Sequence, residues 1–195
     1  MRTSPLRGDQ NRISNTATMS TQWIALLQDV TAVADTILSA DLAAAFESVG
    51  LAEPTFDEQH LVARFRSDLE PEELEVSLKT VVRECCGLRA RFALLTLAGF
   101  RSAVAANPFQ TDSQDDPKST YILFLKDLPT EPVAEKLDSL MAANEKWFLS
   151  GKALYIVVPD GFTHSRLALE AQPEIGVGAV VRSWAEMEEV LHTLG

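Results

Sequence analysis

Basic residues are scarce in this 195-residue chain. Its 17 lysines and arginines stand against 28 aspartates and glutamates, which gives a formal net charge of -11. A surplus of negative charge repels phosphate backbones and anionic lipid headgroups. We therefore predict that the protein binds neither nucleic acid nor a membrane surface.

Long apolar runs and cysteine clusters are also missing. The longest apolar runs, such as residues 153–158, have the length of a strand, far short of the roughly 20 residues of a membrane-spanning helix. The two cysteines, Cys85 and Cys86, are adjacent on a predicted helix. There they can form neither an ordinary structural disulfide nor a metal site. This cysteine usage predicts a reducing, cytoplasmic location.

The sequence contains no familiar catalytic or metal-binding motif. His60, His164 and His192 are scattered, and no two of them have the i, i+4 spacing of helical metal ligands. Ser165 directly follows His164, but adjacent side chains on a helix point about 100° apart and no Gly-x-Ser-x-Gly elbow is present. We therefore predict no catalytic residue, no metal site and no cofactor.

The first 18 residues have no continuous apolar stretch and cannot form the apolar region of a secretory signal. They carry Arg2, Arg7 and Arg12, and Met19 directly precedes the first strand-like segment. Two interpretations stay open for residues 1–18: a disordered tail, or a start codon assigned too far upstream.

Residues 19–107 predict a first lobe with the order βαββαβ followed by a helix. Strand patterns occupy 23–27, part of 60–65, and 88–95, while the second strand has the least distinct pattern. Ser39 can cap the first helix, and Gly50 and Gly87 can end the first and second. The predicted helical faces are Leu42, Phe46 and Val49; Leu74, Leu78, Val81 and Val82; and Leu97, Phe100 and Val104.

A polar linker at 108–119 separates this lobe from a second one at 120–195. The second lobe opens with a strand at 121–125, followed by a helix that Thr130 can cap. Strands at 145–149 and 153–158 flank the turn Ser150-Gly151-Lys152. A helix near 165–170, stopped by Pro173 and Gly176, then precedes a strand at 177–184 and a last helix.

The two lobes repeat the same order of elements. A shift of 87 residues lays Leu97, Phe100 and Val104 on Trp184, Met187 and Leu191, each set being the apolar stripe of a helix that follows a strand. The predicted fold class is therefore α+β, with two tandem ferredoxin-like (α/β-plait) lobes.

Several motifs, in order, resemble the bacterial domain-of-unknown-function family 1697. The resemblance covers residue 23 to nearly the end and implies two α/β-plait lobes in tandem, with no established reaction. The motifs are Ala106-Asn107-Pro108-Phe109, Asp116-Pro117-Lys118 leading into Phe124-Leu125, Gly151-Lys152-Ala153-Leu154-Tyr155, Pro159-Asp160-Gly161, Ser165-Arg166-Leu167 and Val181-Arg182-Ser183-Trp184.

The first lobe departs from the family pattern. Where the family has a Leu-Arg-Gly-Ile-Asn-Val-Gly-Gly segment, residues 27–34 contain neither the arginine nor any glycine. Side chains at such positions block the close approach of backbone N–H groups to an anion. A first-lobe anion loop of the family type is therefore not expected here.

The predicted ligand site lies in the second lobe. Ser165 and Arg166 follow Pro159-Asp160-Gly161 at a helix start, where free N–H groups favour an anion, and Lys152 or Arg182 can add positive charge. Trp184 can stack on a planar ligand beside Arg182. The ordinary alternatives are that Ser165 only caps the helix, that Arg166 is solvated, and that Trp184 belongs to the core.

These patterns predict a cytoplasmic, non-enzymatic protein that binds a protein partner or a small anionic ligand between its lobes. The alternative is an enzyme acting on a phosphorylated or nucleotide-like small molecule at the second-lobe helix start, although no base or nucleophile is visible there. The sequence leaves the ligand and the oligomeric state open.

Overall fold

The computed structural model describes residues 20–30, 39–86, 90–110 and 117–194, which form two four-stranded antiparallel sheets and six α-helices. Residues 20–110 are called the first half below, and 117–194 the second half. The expectations for 1–18, for Gly87 as a helix end and for 111–116 of the linker lie outside the described residues.

The first half contains four strands and three helices. In chain order they are β1 (Thr21–Gln28), α1 (Ser39–Ser48), β2 (Ala52–Asp57), β3 (Val62–Ser67), α2 (Pro71–Cys86), β4 (Arg91–Thr96) and α3 (Leu97–Ala105). The second half begins with a short 3-10 turn at Pro117–Ser119. It continues with β5 (Thr120–Leu125), α4 (Ala134–Leu140), β6 (Lys146–Ser150), β7 (Ala153–Val157), a 3-10 turn (Phe162–His164), α5 (Arg166–Ile175), β8 (Ala179–Ser183) and α6 (Trp184–Thr193).

The strands follow the same order in both sheets. The first sheet runs β2-β3-β1-β4 and the second β6-β7-β5-β8, and every neighbouring pair is antiparallel. β1 and β5 are interior strands, and residues 23–27 and 122–125 are buried without a break. Because side chains alternate between the two faces of a strand, a continuous buried run means that both faces of each sheet are covered.

Helices cover the outward face of each sheet. α1 and α2 pack on the first sheet, and α4 and α5 pack on the second. The buried face of α2 is the one that the helical spacing predicts: Leu74, Leu78, Val81 and Val82. Gly50 follows α1 with φ 84°, the left-handed conformation that glycine adopts most readily.

A shared apolar core joins the two inward faces. It contains Ile24 and Leu26 of β1 together with Ile122 of β5, and α3 and α6 pack into it. Phe100 of α3 stacks on Phe124 of β5, with ring centroids 6.2 Å apart. The two halves therefore bury apolar surface against each other, which stabilises their packing.

Two helix ends in the second half differ from expectation. Thr130 does not cap α4: Val133 occupies the N-cap position, and no side chain caps the helix there. The residue before a proline is biased away from helical conformation, so Pro132 keeps Glu131 from starting the helix. Pro173 lies inside the last turn of α5 instead of stopping it, and Gly176, with φ 68°, ends the helix.

The second strand, which has the least distinct sequence pattern, is present in the structure at 52–57. It is an edge strand with mostly exposed or half-buried side chains, and a register shift between Ala52 and Thr55 interrupts its pairing with β3. Glu53 stands within this bulge at φ 52°. The bulge breaks the two-residue alternation by which a strand is recognised in sequence.

Candidate functional site

Ser165 and Arg166 begin α5, on the outward side of the second sheet. The buried Ser165 hydroxyl accepts a hydrogen bond from the Ala168 N–H at 3.0 Å. The Arg166 side chain is 67% exposed and its guanidinium lies 3.2 Å from the Glu170 carboxylate, one turn along the helix. Both residues thus have partners within α5, as the capping alternative describes.

Arg182, in β8, reaches from the second half into the first. Its guanidinium donates hydrogen bonds to the carbonyl oxygens of Leu27 and Val181, and burial lowers its pKa while the Glu186 and Asp29 carboxylates oppose that effect. The Val181 N–H donates to the Gln28 side chain at 2.9 Å beside it. Arg182 is therefore part of the contact between the two sheets.

Trp184 is the first residue of α6 and lies in the shared core. It is 7% exposed, and its indole N–H points to the Val104 carbonyl oxygen at 3.4 Å. A platform for a planar ligand needs an accessible ring face, which this residue does not offer. Its position matches the core alternative.

Lys152 lies at the opposite end of β7 from Ser165 and its helix. β7 spans five residues, roughly 17 Å at the rise of an extended strand. The Lys152 ammonium donates to the Lys126 carbonyl oxygen at 2.8 Å. The structure therefore places the five predicted residues in separate surroundings and does not bring them together into one site.

Lys152 does line a cleft between the two halves. The cleft has a volume of about 660 Å³. Its first-half wall comes from α2, β4 and Trp23, and its second-half wall comes from the ends of β5, β7 and β8. The charged residues of its described lining are Glu72, Glu75, Lys79, Arg91, Lys126, Asp127 and Lys152. Ligand sites are commonly concave and lie where two structural units meet, and this volume is in their usual range.

Two ammonium groups at the cleft have no carboxylate partner among the described residues. Lys126 pairs with Glu75 across the cleft at 2.8 Å, an ion pair that raises the pKa of Lys126. Lys79 contacts no hydrogen-bonding or ionic partner in the described part of the chain, and Lys152 contacts only a carbonyl oxygen. Both remain able to bind an anion.

One residue of the cleft lining, Trp23, has a buried donor without an acceptor among the described residues. Trp23 is 9% exposed, and its indole nitrogen has no hydrogen-bond partner in the structure as described. Buried N–H groups are nearly always paired, because leaving one unpaired costs the free energy of removing it from water. A bound molecule or a water is the usual explanation for such a group.

A histidine connects the halves on another surface. His60 lies between β2 and β3, with Nδ1 2.8 Å from Asp57 and Nε2 3.2 Å from Glu189 of α6. The hydrogen bond with Asp57 does most to raise the pKa of His60; burial opposes it, and Glu189 adds to the rise.

No group of three His, Cys, Asp or Glu side chains in the described ranges could hold a metal ion.

The described residues contain no helix with the length and apolar character that crossing a membrane requires.

Sequence reasoning missed Trp23, Lys79 and Lys126 as cleft residues. They come from three distant segments of the chain, and only the packing of the two halves brings them together. No spacing rule applied to one segment can find such a set.

Comparison with curated proteins gives no match. Among solved structures, the chain is similar to the conserved bacterial protein SP0830 from Streptococcus pneumoniae, with a TM-score of 0.68 over 90% of this chain and 98% of that chain. The sequence identity is 15%, so this likeness concerns the fold alone.

A family model described as "Protein of unknown function (DUF1697)" matches residues 20–155. The match includes the whole first half and continues through most of β7. It confirms the resemblance drawn from the sequence motifs. The chain belongs to the DUF1697 family of proteins of unknown function.

Proposed function

We propose that the protein binds a small anionic ligand with an apolar body in the cleft between its two halves. The observation that carries this proposal is Trp23, a residue of the cleft lining whose buried indole N–H has no acceptor among the described residues. Trp23 also borders a second, smaller groove. An acceptor atom on the ligand would restore that hydrogen bond. The function is binding, with no catalytic step assigned.

The described lining of the cleft has four basic residues, Lys79, Arg91, Lys126 and Lys152, and three acidic ones, Glu72, Glu75 and Asp127. Arg91 is already paired with Asp29. Lys79 and Lys152 lack carboxylate partners in the described ranges, whereas Lys126 is already paired with Glu75. In a chain of net charge -11, long-range attraction of an anion is not expected, so recognition rests on these short contacts.

The remaining lining supports an apolar body. Ala90, Phe92, Leu94 and Leu95 line the cleft and are half-buried, so part of their apolar surface is accessible there. Pockets of this kind bury most of a ligand's surface against apolar groups, and a few polar groups fix its orientation. A small inorganic ion alone would leave this surface unused.

A partner protein is the less supported alternative. The exposed large apolar side chains in the described residues are Val76, Leu128, Met141, Phe148 and Leu169, which lie on separate elements and loops. Singly scattered apolar residues are normal on a protein surface and do not mark an interface. The enzymatic alternative at the start of α5 has no supporting contact, because Ser165 and Arg166 have partners within their own helix.

We also propose that each half is a ferredoxin-like lobe and that the chain is a tandem repeat in the cytoplasm. The shared strand order supports the repeat. So do α3 and α6, which begin 87 residues apart and follow the capping residues Thr96 and Ser183.

A thermal-shift comparison of three related compounds tests the binding proposal. A ligand that binds only the folded state raises the melting temperature. We expect 1-naphthyl phosphate to raise it more than inorganic phosphate, which lacks the apolar body, or 1-naphthol, which lacks the charge. Equal shifts, no shift with any of the three, or a 1-naphthyl phosphate shift that Lys79→Gln/Lys152→Gln retains in full would argue against a cleft ligand of this class.

A further inference from the structure

A second concave surface, here called the arginine groove, lies between the inward face of the first sheet and helices α3 and α6. Its volume is about 390 Å³. Its polar lining includes Arg64 and Arg66 of β3, Arg101 of α3, Gln22 of β1 and Thr55 of β2. Arg64 and Arg66 are two residues apart, and both pair with β1 residues of even number, so they share one sheet face.

Three guanidinium groups therefore line one small groove in an acidic protein. Glu53 is the only carboxylate among the described residues of the lining, and it already pairs with Arg66 at 3.0 Å. Arg101 donates one hydrogen bond, of 2.9 Å, to the Leu194 carbonyl oxygen. Arg64 is half-buried and has no hydrogen-bond or ionic partner in the part of the chain that the structure describes. The formal charge of the lining is thus positive.

We propose that the arginine groove binds the phosphate group of a small phosphate ester. Trp23 borders both the groove and the cleft, but the basic side chains of the two sites are different. A guanidinium presents a planar set of N–H donors that matches phosphate oxygens, and it stays charged at any physiological pH. Arg64 and the unused N–H groups of Arg101 supply such donors from a strand and from a facing helix. The Thr55 hydroxyl and the Gln22 amide add neutral polar groups to the lining.

Isothermal titration of the full chain with pyrophosphate tests the proposal. We expect a Kd below about 1 mM for the unchanged protein. Arg64→Gln and Arg101→Gln should each weaken binding about tenfold or more, the effect of losing charge-assisted hydrogen bonds. Arg101 is exposed, so its substitution keeps the test valid even if Arg64→Gln destabilises the fold.

Two controls separate this site from others. Arg166→Gln removes an exposed arginine on α5 and should leave the pyrophosphate affinity unchanged. The double variant Lys79→Gln/Lys152→Gln alters the cleft and should also leave it unchanged. The proposal is overturned if the unchanged protein does not bind pyrophosphate, if both groove variants bind it normally, or if Arg166→Gln weakens binding equally. Because the cleft variants are assayed separately, failure here does not decide the function proposed for the cleft.

Discussion

The phenolic hydroxyl of Tyr155 donates a hydrogen bond of 2.5 Å to the carbonyl oxygen of Ala103. Tyr155 belongs to β7 and is fully buried, while Ala103 belongs to α3. The bond therefore ties the second sheet to a helix of the first half, within the core that both halves share. Burial also raises the pKa of the Tyr155 hydroxyl.

Removal of this hydroxyl should destabilise the whole chain. Tyr155→Phe keeps the ring but leaves the carbonyl oxygen of the half-buried Ala103 without its donor, so we expect a loss of about 1 to 2 kcal/mol in the free energy of unfolding. Urea denaturation measures it. An unfolding free energy equal to that of the unchanged protein would show that the bond contributes nothing net.

The shared core predicts that the two halves unfold together. Phe100→Ala removes a ring that stacks on Phe124 of the other half, and loss of a buried phenylalanine costs about 3 to 5 kcal/mol. The matched control is Phe148→Ala, whose ring is 44% exposed although it stacks on Tyr155. Removal of this half-exposed ring should cost about 1 kcal/mol.

Tryptophan fluorescence can show whether the two sheets unfold together in urea. Trp23 reports on the first sheet and Trp147 on the second, whereas Trp184 lies in the shared core. In single-tryptophan variants, coincident urea transitions are expected because one core supports both sheets. Two well-separated transitions would contradict a shared core.

The sequence predicted much of this fold because its strongest signals are local. The apolar run at 23–27 marks an interior strand with both faces covered, and the spacing from Leu74 to Val82 marks the buried face of α2. β2 was poorly marked because it is an exposed edge strand with a bulge. Thr130 was a wrong cap because Pro132 acts on the residue before it.

The candidate sites were less predictable because they depend on contacts between distant segments. The charge of Lys152 near a turn predicts a site residue, and Lys152 lines the cleft. Ser165 and Arg166 share a motif with each other but lie beyond the opposite end of β7. Nothing in the local sequence of Trp23 or Lys79 indicates that they face the same cavity.

The pair His60–Asp57 predicts a pH dependence of stability. The pKa of His60 is raised above its ordinary value of 6.5 by the hydrogen bond with Asp57, against the effect of burial, and by Glu189. The stabilisation from protonated His60 is therefore complete below 6.5 and is lost as the pH rises through the raised folded-state pKa. A loss of stability in acid is expected from Asp57 instead. Its pKa is lowered in the folded protein, so its stabilising effect is lost as the pH falls through that folded-state pKa.

Denaturation of the unchanged protein and of His60→Gln, from about pH 6 to about pH 9, measures this effect. We expect the stability difference between them to be largest at the acidic end and to shrink toward the alkaline end. His192→Gln, at an exposed histidine on α6, serves as the control for loss of a histidine. A difference that grows with pH would contradict the assignment.

Because the indole N–H of Trp23 has no acceptor among the described residues, we expect Trp23→Phe to reduce ligand affinity more than stability. The substitution removes a buried donor that has no acceptor among the described residues, so the gain from its removal offsets part of the lost apolar contact. We expect the unfolding free energy to fall by less than about 2 kcal/mol, whereas affinity for 1-naphthyl phosphate falls about fivefold or more. A large stability loss with unchanged affinity would mean that the N–H has no role in binding.

The affinity of 1-naphthyl phosphate for the unchanged protein and for Lys79→Gln/Lys152→Gln is the most direct test of the proposed cleft. Isothermal titration should give at least about tenfold weaker binding in the double variant, because two charge-assisted contacts are lost. Lys136→Gln, at an α4 lysine that pairs with Glu131 outside the cleft, should bind like the unchanged protein. Equal affinity in all three proteins, or no binding by the unchanged protein, would contradict a cleft that recognises anions.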